Sequence, residues 1–116
     1  MKNKEVGKKG EDIATIYLET KGFNIIERNW RYKHLEVDII ASMNKKIHFV
    51  EVKTRTNLKY GLPEESISQT KMNHLKVAAA AYINLHQEWD LLQFDVVAIM
   101  ITNKGEEIFF IEDVFF

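Results

Sequence analysis

The chain has 116 residues, of which 46% are hydrophobic and 28% charged, and this balance predicts one folded domain over residues 1–116 rather than a disordered polypeptide. Cysteine is absent, which excludes disulfides and thiolate metal sites, and no apolar run reaches the roughly 20 residues of a membrane-spanning helix. The formal net charge of −1 conceals a basic half, since residues 1–60 hold 13 Lys/Arg against 8 Asp/Glu whereas residues 61–116 hold 3 against 9.

The first half of the chain predicts one helix followed by three strands. Apolar residues recur at helical spacing over residues 8–21, and Gly22 is a typical stop for such a helix. Period-two alternation then predicts strands over residues 23–31, 35–41 and 46–55. Turns are expected at Lys33-His34 and over residues 43–45, so the second and third strands form a hairpin.

The second half of the chain predicts one helix and two strands. Gly61 and Pro63 interrupt the chain, and a helix with an apolar stripe follows over residues 66–86. Residues 93–102 are the most apolar stretch and are expected to form a central strand. A turn then leads to a last strand over residues 107–113. The order αβββαββ predicts an α/β (α+β) domain with a mixed sheet flanked by helices.

Acidic residues mark the ends of two apolar strand faces. Side chains alternate along a strand, so Ile47, Phe49 and Glu51 share a face that passes from apolar to charged. Asp38 lies on the neighbouring strand, on a face that continues with Ile40. The hairpin brings Asp38 and Glu51 near each other, and adjacent carboxylates repel unless a cation lies between them. Oxygen ligands favour Mg²⁺ or Mn²⁺ at such a place.

Three further groups fit around such a cation. The backbone carbonyl of Val52 would supply another oxygen, and Lys53 would orient the attacking water or neutralise a phosphate. Glu11 lies on the inward face of the first helix, where it would complete the outer metal shell or hold Lys53. Ordinary interpretations exist as well: a surface ion pair for Glu51 and Lys53, a hairpin charge for Asp38, and an acid favoured by the helix dipole for Glu11. The coincidence of three acids and a lysine at the ends of apolar faces favours a metal site.

Short stretches along nearly the whole chain resemble the YraN-like family, an uncharacterised bacterial group with a restriction-endonuclease-like fold of the PD-(D/E)xK nuclease superfamily. The matching stretches are Gly10-Glu11, Ala14, Tyr17-Leu18, Arg28-Asn29, residues 36–41 (EVDIIA), residues 49–55 (FVEVKTR), Gly61, residues 63–65 (PEE), Lys71, residues 79–82 (AAAY) and residues 94–97 (FDVV). Their order and spacing together are specific. Archaeal Holliday-junction resolvases are similar in size and fold, with an early helical Glu, a strand Asp and an E-x-K strand.

The resemblance implies that Glu11, Asp38, Glu51 and Lys53 form the active site of a Mg²⁺- or Mn²⁺-dependent nuclease. DNA is the expected substrate, with branched or otherwise structured DNA among the forms considered. The alternative is a nucleic-acid-binding module of the same fold without turnover. Leu35 departs from the family pattern, which usually has Gly there, and this bears on how the backbone would approach a substrate.

The expected contacts with nucleic acid come from basic residues, namely Arg28, Arg31, Lys33, Arg55 and Lys71. Trp30 and Tyr32 lie among them and suit stacking on unpaired bases, although packing alone explains Trp30. Asp95 is interpreted as a charge at the start of its strand.

Other expectations concern partners and location. The charged N-terminus lacks an apolar signal segment, which favours a cytoplasmic protein without a membrane partner. A homodimer would suit the cutting of two strands. The apolar tail over residues 108–116 fits either an interface for a partner protein or a core strand.

Overall fold

In the computed structural model, which describes residues 3–56 and 68–114, two helices pack against one five-stranded sheet. In chain order the elements are α1 (Asn3–Thr20), β1 (Asn24–Tyr32), β2 (Leu35–Met43), β3 (Lys46–Arg55), α2 (Gln69–Leu85), β4 (Leu91–Thr102) and β5 (Gly105–Ile111). The predicted order αβββαββ is therefore confirmed. The chain break expected at Gly61 and Pro63 lies outside the described residues, as does the end of the apolar tail. No described helix is long and apolar enough to cross a membrane.

The sheet has the strand order β1-β2-β3-β4-β5, in which only β3 and β4 run parallel. The predicted hairpin between β2 and β3 is confirmed, and it turns at Asn44 and Lys45 with positive φ angles of 52° and 65°. Positive angles at both positions are typical of two-residue turns whose twist matches that of the strands. The expectation that β4 is central needs a correction: β4 is an interior strand, but β3 occupies the middle of the sheet.

The two helices cover opposite faces of the sheet. Val50 and Val52 of β3 belong to the core that packs under α1, together with Ala14 and Leu18. Phe49, on the other face of β3, belongs to the core under α2. This second core contains the buried stripe of α2, namely Leu75, Ala78, Ala79 and Tyr82. Any group at the end of β3 is therefore approached by α1 from one side and by α2 from the other.

Both helices begin at different residues from those predicted. α1 starts at Asn3 rather than near residue 8, because its first two turns are charged and have no apolar stripe for the sequence pattern to detect. α2 starts at Gln69 rather than residue 66. Its N-cap is Ser68, whose hydroxyl oxygen accepts a hydrogen bond from the Lys71 backbone N–H at 3.1 Å.

The last two strands also start earlier than predicted. β4 begins at Leu91, which pairs with Lys46 at the start of β3, so the parallel ladder extends the strand by the two residues that precede Gln93. β5 begins at Gly105, directly after a two-residue turn, and ends at Ile111. Pairing with the neighbouring strand fixed both of these starting points.

Candidate active site

Asp38 lies just beyond the last residue pair that joins β2 to β3, which is Ile39 with Val50. Beyond that pair, a side chain joins the two strands: Asp38 Oδ2 accepts a hydrogen bond from the Val52 backbone N–H at 2.8 Å. Asp38 is only 9% exposed. Burial, and then the charge of Glu51, raise the pKa of Asp38 to about 8, although the Val52 N–H acts in the opposite direction. An ionised Asp38 is therefore costly unless a cation is near.

Glu51 follows the same residue pair on β3 and is 3% exposed. Its close cation is Lys71 of α2, whose Nζ lies 3.0 Å from Oε1. The contact is an ion pair between the ammonium and a buried carboxylate oxygen. Burial raises the pKa of Glu51 even though Lys71 opposes the rise. For Lys71, burial is the largest cause and alone would lower the pKa, but the charge and contact of Glu51, together with the charges of Asp38 and Glu36, raise the pKa overall.

Asp38, Glu51 and Lys71 line one cleft of about 170 Å³, which we call the carboxylate cleft. Its other lining residues are His34, Leu35, Glu36, His74 and Leu75. The hairpin and the strand alternation thus bring together the two acids that the sequence pattern pairs. The lysine beside the two acids differs from the one expected. Lys71, and not Lys53, contacts Glu51.

Lys53 lines a separate cleft of about 360 Å³ on the α1 side, which we call the lysine cleft. Glu11, Val52 and Arg55 line it as well. Within residues 3–56 and 68–114, Lys53 makes no ion pair with an acid. Burial, and then the charge of Lys71, lower the pKa of Lys53. Its charge still interacts with Glu51, so the two clefts form one electrostatic site.

Gly10 sets the position of Glu11 in this site. A Cβ atom at Gly10 would clash with Thr54 Oγ1 and lie 3.0 Å from Thr54 Cβ, so α1 packs this close to β3 only because residue 10 has no side chain. The following residue is Glu11, which therefore reaches the lysine cleft and contributes to the raised pKa of Asp38. In the sequence, Gly10 stands out only as part of a family motif. The close approach of Thr54 explains why a residue without a side chain is needed there.

The expected basic surface is partly neutralised by the protein's own acids. Arg28 donates a hydrogen bond to Asp12 at 2.9 Å and lies 3.9 Å from the Glu11 carboxylate. Arg31 forms an ion pair with Glu36 at 3.1 Å. Such exposed pairs contribute little to stability, so a phosphate backbone would compete for these arginines at modest cost.

The aromatic residues of β1 face the α2 side. Trp30 stacks on Tyr32 with an interplanar angle of 7°, and its edge contacts Tyr82 of α2. Trp30 packs against the core under α2, which confirms the packing interpretation of this residue. Lys33 lies with its Nζ 5.4 Å from the centroid of the Tyr32 ring.

Two histidines of the carboxylate cleft have no signal in the sequence pattern. His34 lies in the turn after β1 and His74 on α2, and their rings are 6.2 Å apart in an edge-to-face arrangement. They are 40 positions apart in sequence, so only the packing of α2 on the sheet makes them neighbours. Leu35, at the position where the family usually has Gly, packs into the core under α2.

The interpretation of Asp95 as a charge at the start of its strand is wrong. Asp95 is fully buried, and its Oδ2 lies 2.6 Å from Nδ1 of His48 on β3. Its Oδ1 accepts hydrogen bonds from Gln93 Nε2 at 2.8 Å and from the Asp113 backbone N–H at 2.9 Å. This network ties β3, β4 and the residues after β5 together, because a buried carboxylate needs several donors. It lies apart from both clefts.

The fold and these clefts define a mixed α+β protein that carries acids and lysines at the end of its middle strand. The model of the uncharacterised protein family UPF0102 matches residues 10–99. This chain is 43% identical to a UPF0102 protein of Dictyoglomus turgidum over 107 residues, which cover 91% of each chain. It is 45% identical to that of Caldicellulosiruptor bescii over 107 residues, or 90% of each chain. It is 41% identical to that of Chloroherpeton thalassium over 97% of this chain and 95% of the relative.

The chain therefore belongs to the UPF0102 family. Its predicted resemblance to the YraN-like group is confirmed by this membership. The stretch matched by the family includes Glu11, Asp38, Glu51, Lys53 and Lys71.

Proposed function

We propose that this protein is a metal-dependent phosphodiesterase that hydrolyses nucleic acid, with DNA as the principal substrate. One observation carries the proposal: two carboxylates that are more than nine-tenths buried, Asp38 and Glu51, line a single small cleft. A buried pair of like charges destabilises a fold and brings no benefit to a protein that only packs or only binds phosphate. A site that takes a divalent cation gives the pair a purpose.

The donors of the carboxylate cleft fit Mg²⁺ or Mn²⁺. Asp38 and Glu51 offer oxygens, and Glu51 Oε1 is a buried atom whose charged partner among the described residues is the half-exposed Lys71 ammonium. No group of three or more His, Cys, Asp or Glu side chains in residues 3–56 and 68–114 is placed to hold a metal. Mg²⁺ does not need such a cage, because it keeps several waters and is usually bound through one or two carboxylates and the substrate. The backbone carbonyl of Val52 would supply a further oxygen ligand.

Each residue of the two clefts would have a separate role in hydrolysis. Bound Mg²⁺ or Mn²⁺ would activate water and stabilise the charge that builds on the phosphate. Asp38 and Glu51 would hold the cation, and the Val52 N–H fixes the orientation of the Asp38 carboxylate. Lys53, from the lysine cleft, orients the attacking water or neutralises the phosphate. Glu11 holds the outer shell of the site from α1.

Basic side chains around the clefts supply the substrate contacts in this proposal. Arg28, Arg31, Lys33 and Arg55 lie on β1, on β3 and in the turn after β1. Contacts of this type are with phosphate, so they position a nucleic acid without reading its sequence. The expected substrate is therefore defined by shape rather than by base sequence, in keeping with branched or structured DNA.

A second candidate function is nucleic-acid binding without turnover. The observation in its favour is that both acids already have partners within the protein, since Val52 N–H serves Asp38 and Lys71 serves Glu51. Under this alternative the two contacts are structural, and no metal enters the cleft. The two candidates differ in whether a divalent cation binds and whether DNA is cut.

The test is cleavage of supercoiled, linear and four-way-junction DNA in Mg²⁺, in Mn²⁺ and in EDTA. Asp38→Asn and Lys53→Ala are each expected to lower the cleavage rate by about 10²–10³. Asp90→Asn is the matched control, because Asp90 is an exposed acid before β4 and lies outside both clefts. Cleavage that survives both site substitutions would rule out this centre. DNA binding without cleavage in either metal would favour the second candidate.

A further inference from the structure

Lys71 is the cation nearest to the proposed metal site. We propose that its ammonium is the resident counter-ion of the site, which neutralises Glu51 in the metal-free protein and gives way when a divalent cation binds. This inference rests on the proposed function and specifies how its buried acids are kept in a folded protein before metal arrives. It also assigns Lys71 a role beyond the phosphate contact expected from the sequence.

The geometry of the ion pair supports an exchangeable partner. Lys71 Nζ lies 3.0 Å from Glu51 Oε1, and the side chain of Glu51 is 4% exposed whereas that of Lys71 is 50% exposed. The acid is thus fixed inside the protein, and the lysine reaches in from the surface. A half-exposed lysine returns to water at little cost, whereas Glu51 cannot leave the cleft. An ionised Glu51 therefore needs a cation, but that cation need not be Lys71.

The backbone of Lys71 is fixed, whereas its long side chain is free to move. Its backbone N–H donates to Ser68 Oγ at 3.1 Å, which fixes the first turn of α2 at the edge of the carboxylate cleft. From that anchor the flexible stem of a lysine lets the ammonium move without any movement of the helix. The ammonium that leaves Glu51 stays beside the cleft, where an entering phosphate is the natural anion for it.

An ammonium and a divalent cation compete for Glu51. A magnesium ion binds carboxylate oxygen at about 2.0–2.1 Å, and a second positive charge close to the same oxygen is strongly repelled in a small, poorly solvated cleft. Asp38 lines that cleft and carries no cation of its own among the described residues. Both acids would therefore be bound by one dication after the exchange, whereas before it Lys71 pairs directly with Glu51 and acts on Asp38 only through its charge.

Removal of the Lys71 charge should have opposite effects on metal binding and on metal-free stability. Lys71→Met is expected to tighten Mg²⁺ binding about tenfold, as for a competitor that has been removed. In EDTA the same variant should have a lower Tm than the wild type, because Glu51 is left buried without a cation. In a Glu51→Gln background, Lys71→Met should lower the Tm much less than in the wild type, because the ion pair no longer exists and only the charges of Asp38 and Glu36 remain.

The experiment measures the Mg²⁺ affinity at pH 8.5 from the metal-dependent rise of Tm and from calorimetric titration, with no substrate present. Lys71→Arg keeps the positive charge and is expected to stay within about threefold of the wild-type affinity. Lys53→Met shows whether loss of the other lysine changes the Mg²⁺ affinity. Lys53 makes no such ion pair within the described part of the chain. Lys104→Met, in the exposed turn before β5, controls for the loss of one positive charge.

The outcomes separate this inference from the proposed function. Wild-type Mg²⁺ binding that Lys71→Met leaves unchanged or weakens would overturn the exchange while the metal site stands. Mg²⁺ binding by none of the proteins would overturn the metal site and the exchange together. Lys71→Gln serves as a second neutral variant if Lys71→Met does not fold, and equal Tm losses in the wild-type and Glu51→Gln backgrounds would also refute the counter-ion role.

Discussion

Asp38→Asn is expected to stabilise the metal-free protein at alkaline pH while it removes a metal ligand. The Asp38 carboxyl is 9% exposed, and its pKa is raised from the ordinary value of 3.8 to about 8, first by burial and then by the charge of Glu51. Asparagine has nearly the same shape and keeps an oxygen that can accept the Val52 N–H hydrogen bond. The substitution therefore removes the buried charge and little else.

The sign of the effect follows from proton binding. The folded protein holds a proton on Asp38 up to about pH 8, whereas the unfolded chain releases it near pH 3.8. The free energy of unfolding contributed by this group thus falls as the pH rises from about 4 to about 8, and it levels off above that. One unit of pKa is worth about 1.4 kcal/mol, so the full rise corresponds to roughly 6 kcal/mol as an upper bound. After relaxation and water penetration we expect about 2–4 kcal/mol.

The assay is urea unfolding in EDTA, followed by circular dichroism, at pH 8.5 and pH 4.5. At pH 8.5 the Asp38→Asn variant should exceed the wild type in free energy of unfolding by about 2–4 kcal/mol, and the gap should shrink towards pH 4.5. Asp12→Asn is the matched control. The hydrogen bond from Arg28 and then that from Lys8 lower the pKa of Asp12, so its amide variant should be no more stable than the wild type at pH 8.5.

Added Mg²⁺ should then close the gap. A ligand that binds only the folded state at 100 times its Kd stabilises by about 2.7 kcal/mol, and only the wild type retains the Asp38 ligand. The reasoning is refuted if Asp38→Asn is less stable than the wild type at pH 8.5 in EDTA, or if the difference does not change with pH. Equal stabilisation of both proteins by Mg²⁺ would place the metal elsewhere.

Three further predictions test the parts that hold the site in place. Gly10→Ala should cost about 1–3 kcal/mol of unfolding free energy despite the better helix propensity of alanine, because the new Cβ meets Thr54, and a cost that Thr54→Ala does not reduce would contradict this contact. Asp95→Ala should cost at least about 2 kcal/mol in urea unfolding because it strands His48 and two N–H donors in the interior, and a loss below 0.5 kcal/mol would mean that water replaces the carboxylate. Ser68→Ala should lower the unfolding free energy by about 1 kcal/mol through the lost N-cap, with Ser68→Asp as the restoring variant, and equal stability of all three proteins would deny the cap.

The sequence by itself determined the order of the elements and the pairing of Asp38 with Glu51. Both depend on local physics: the period of apolar residues distinguishes helix from strand, and the short turn at Asn44 and Lys45 fixes which residues of β2 and β3 face each other. Alternation along β3 then leaves Glu51 buried beyond the last apolar residue of its face.

Only the tertiary structure decided which groups surround those two acids. Lys71 comes to Glu51 from a helix 20 positions later in the chain, and Asp95 finds His48 across a parallel pair of strands 47 positions apart. No periodicity within one segment encodes such contacts, because they depend on where α2 and β4 dock on the sheet. The same holds for Gly10, whose missing side chain has meaning only against Thr54 of β3. The two acids of the carboxylate cleft could thus be predicted from the sequence, whereas the position of Lys71 beside Glu51 depends on tertiary packing.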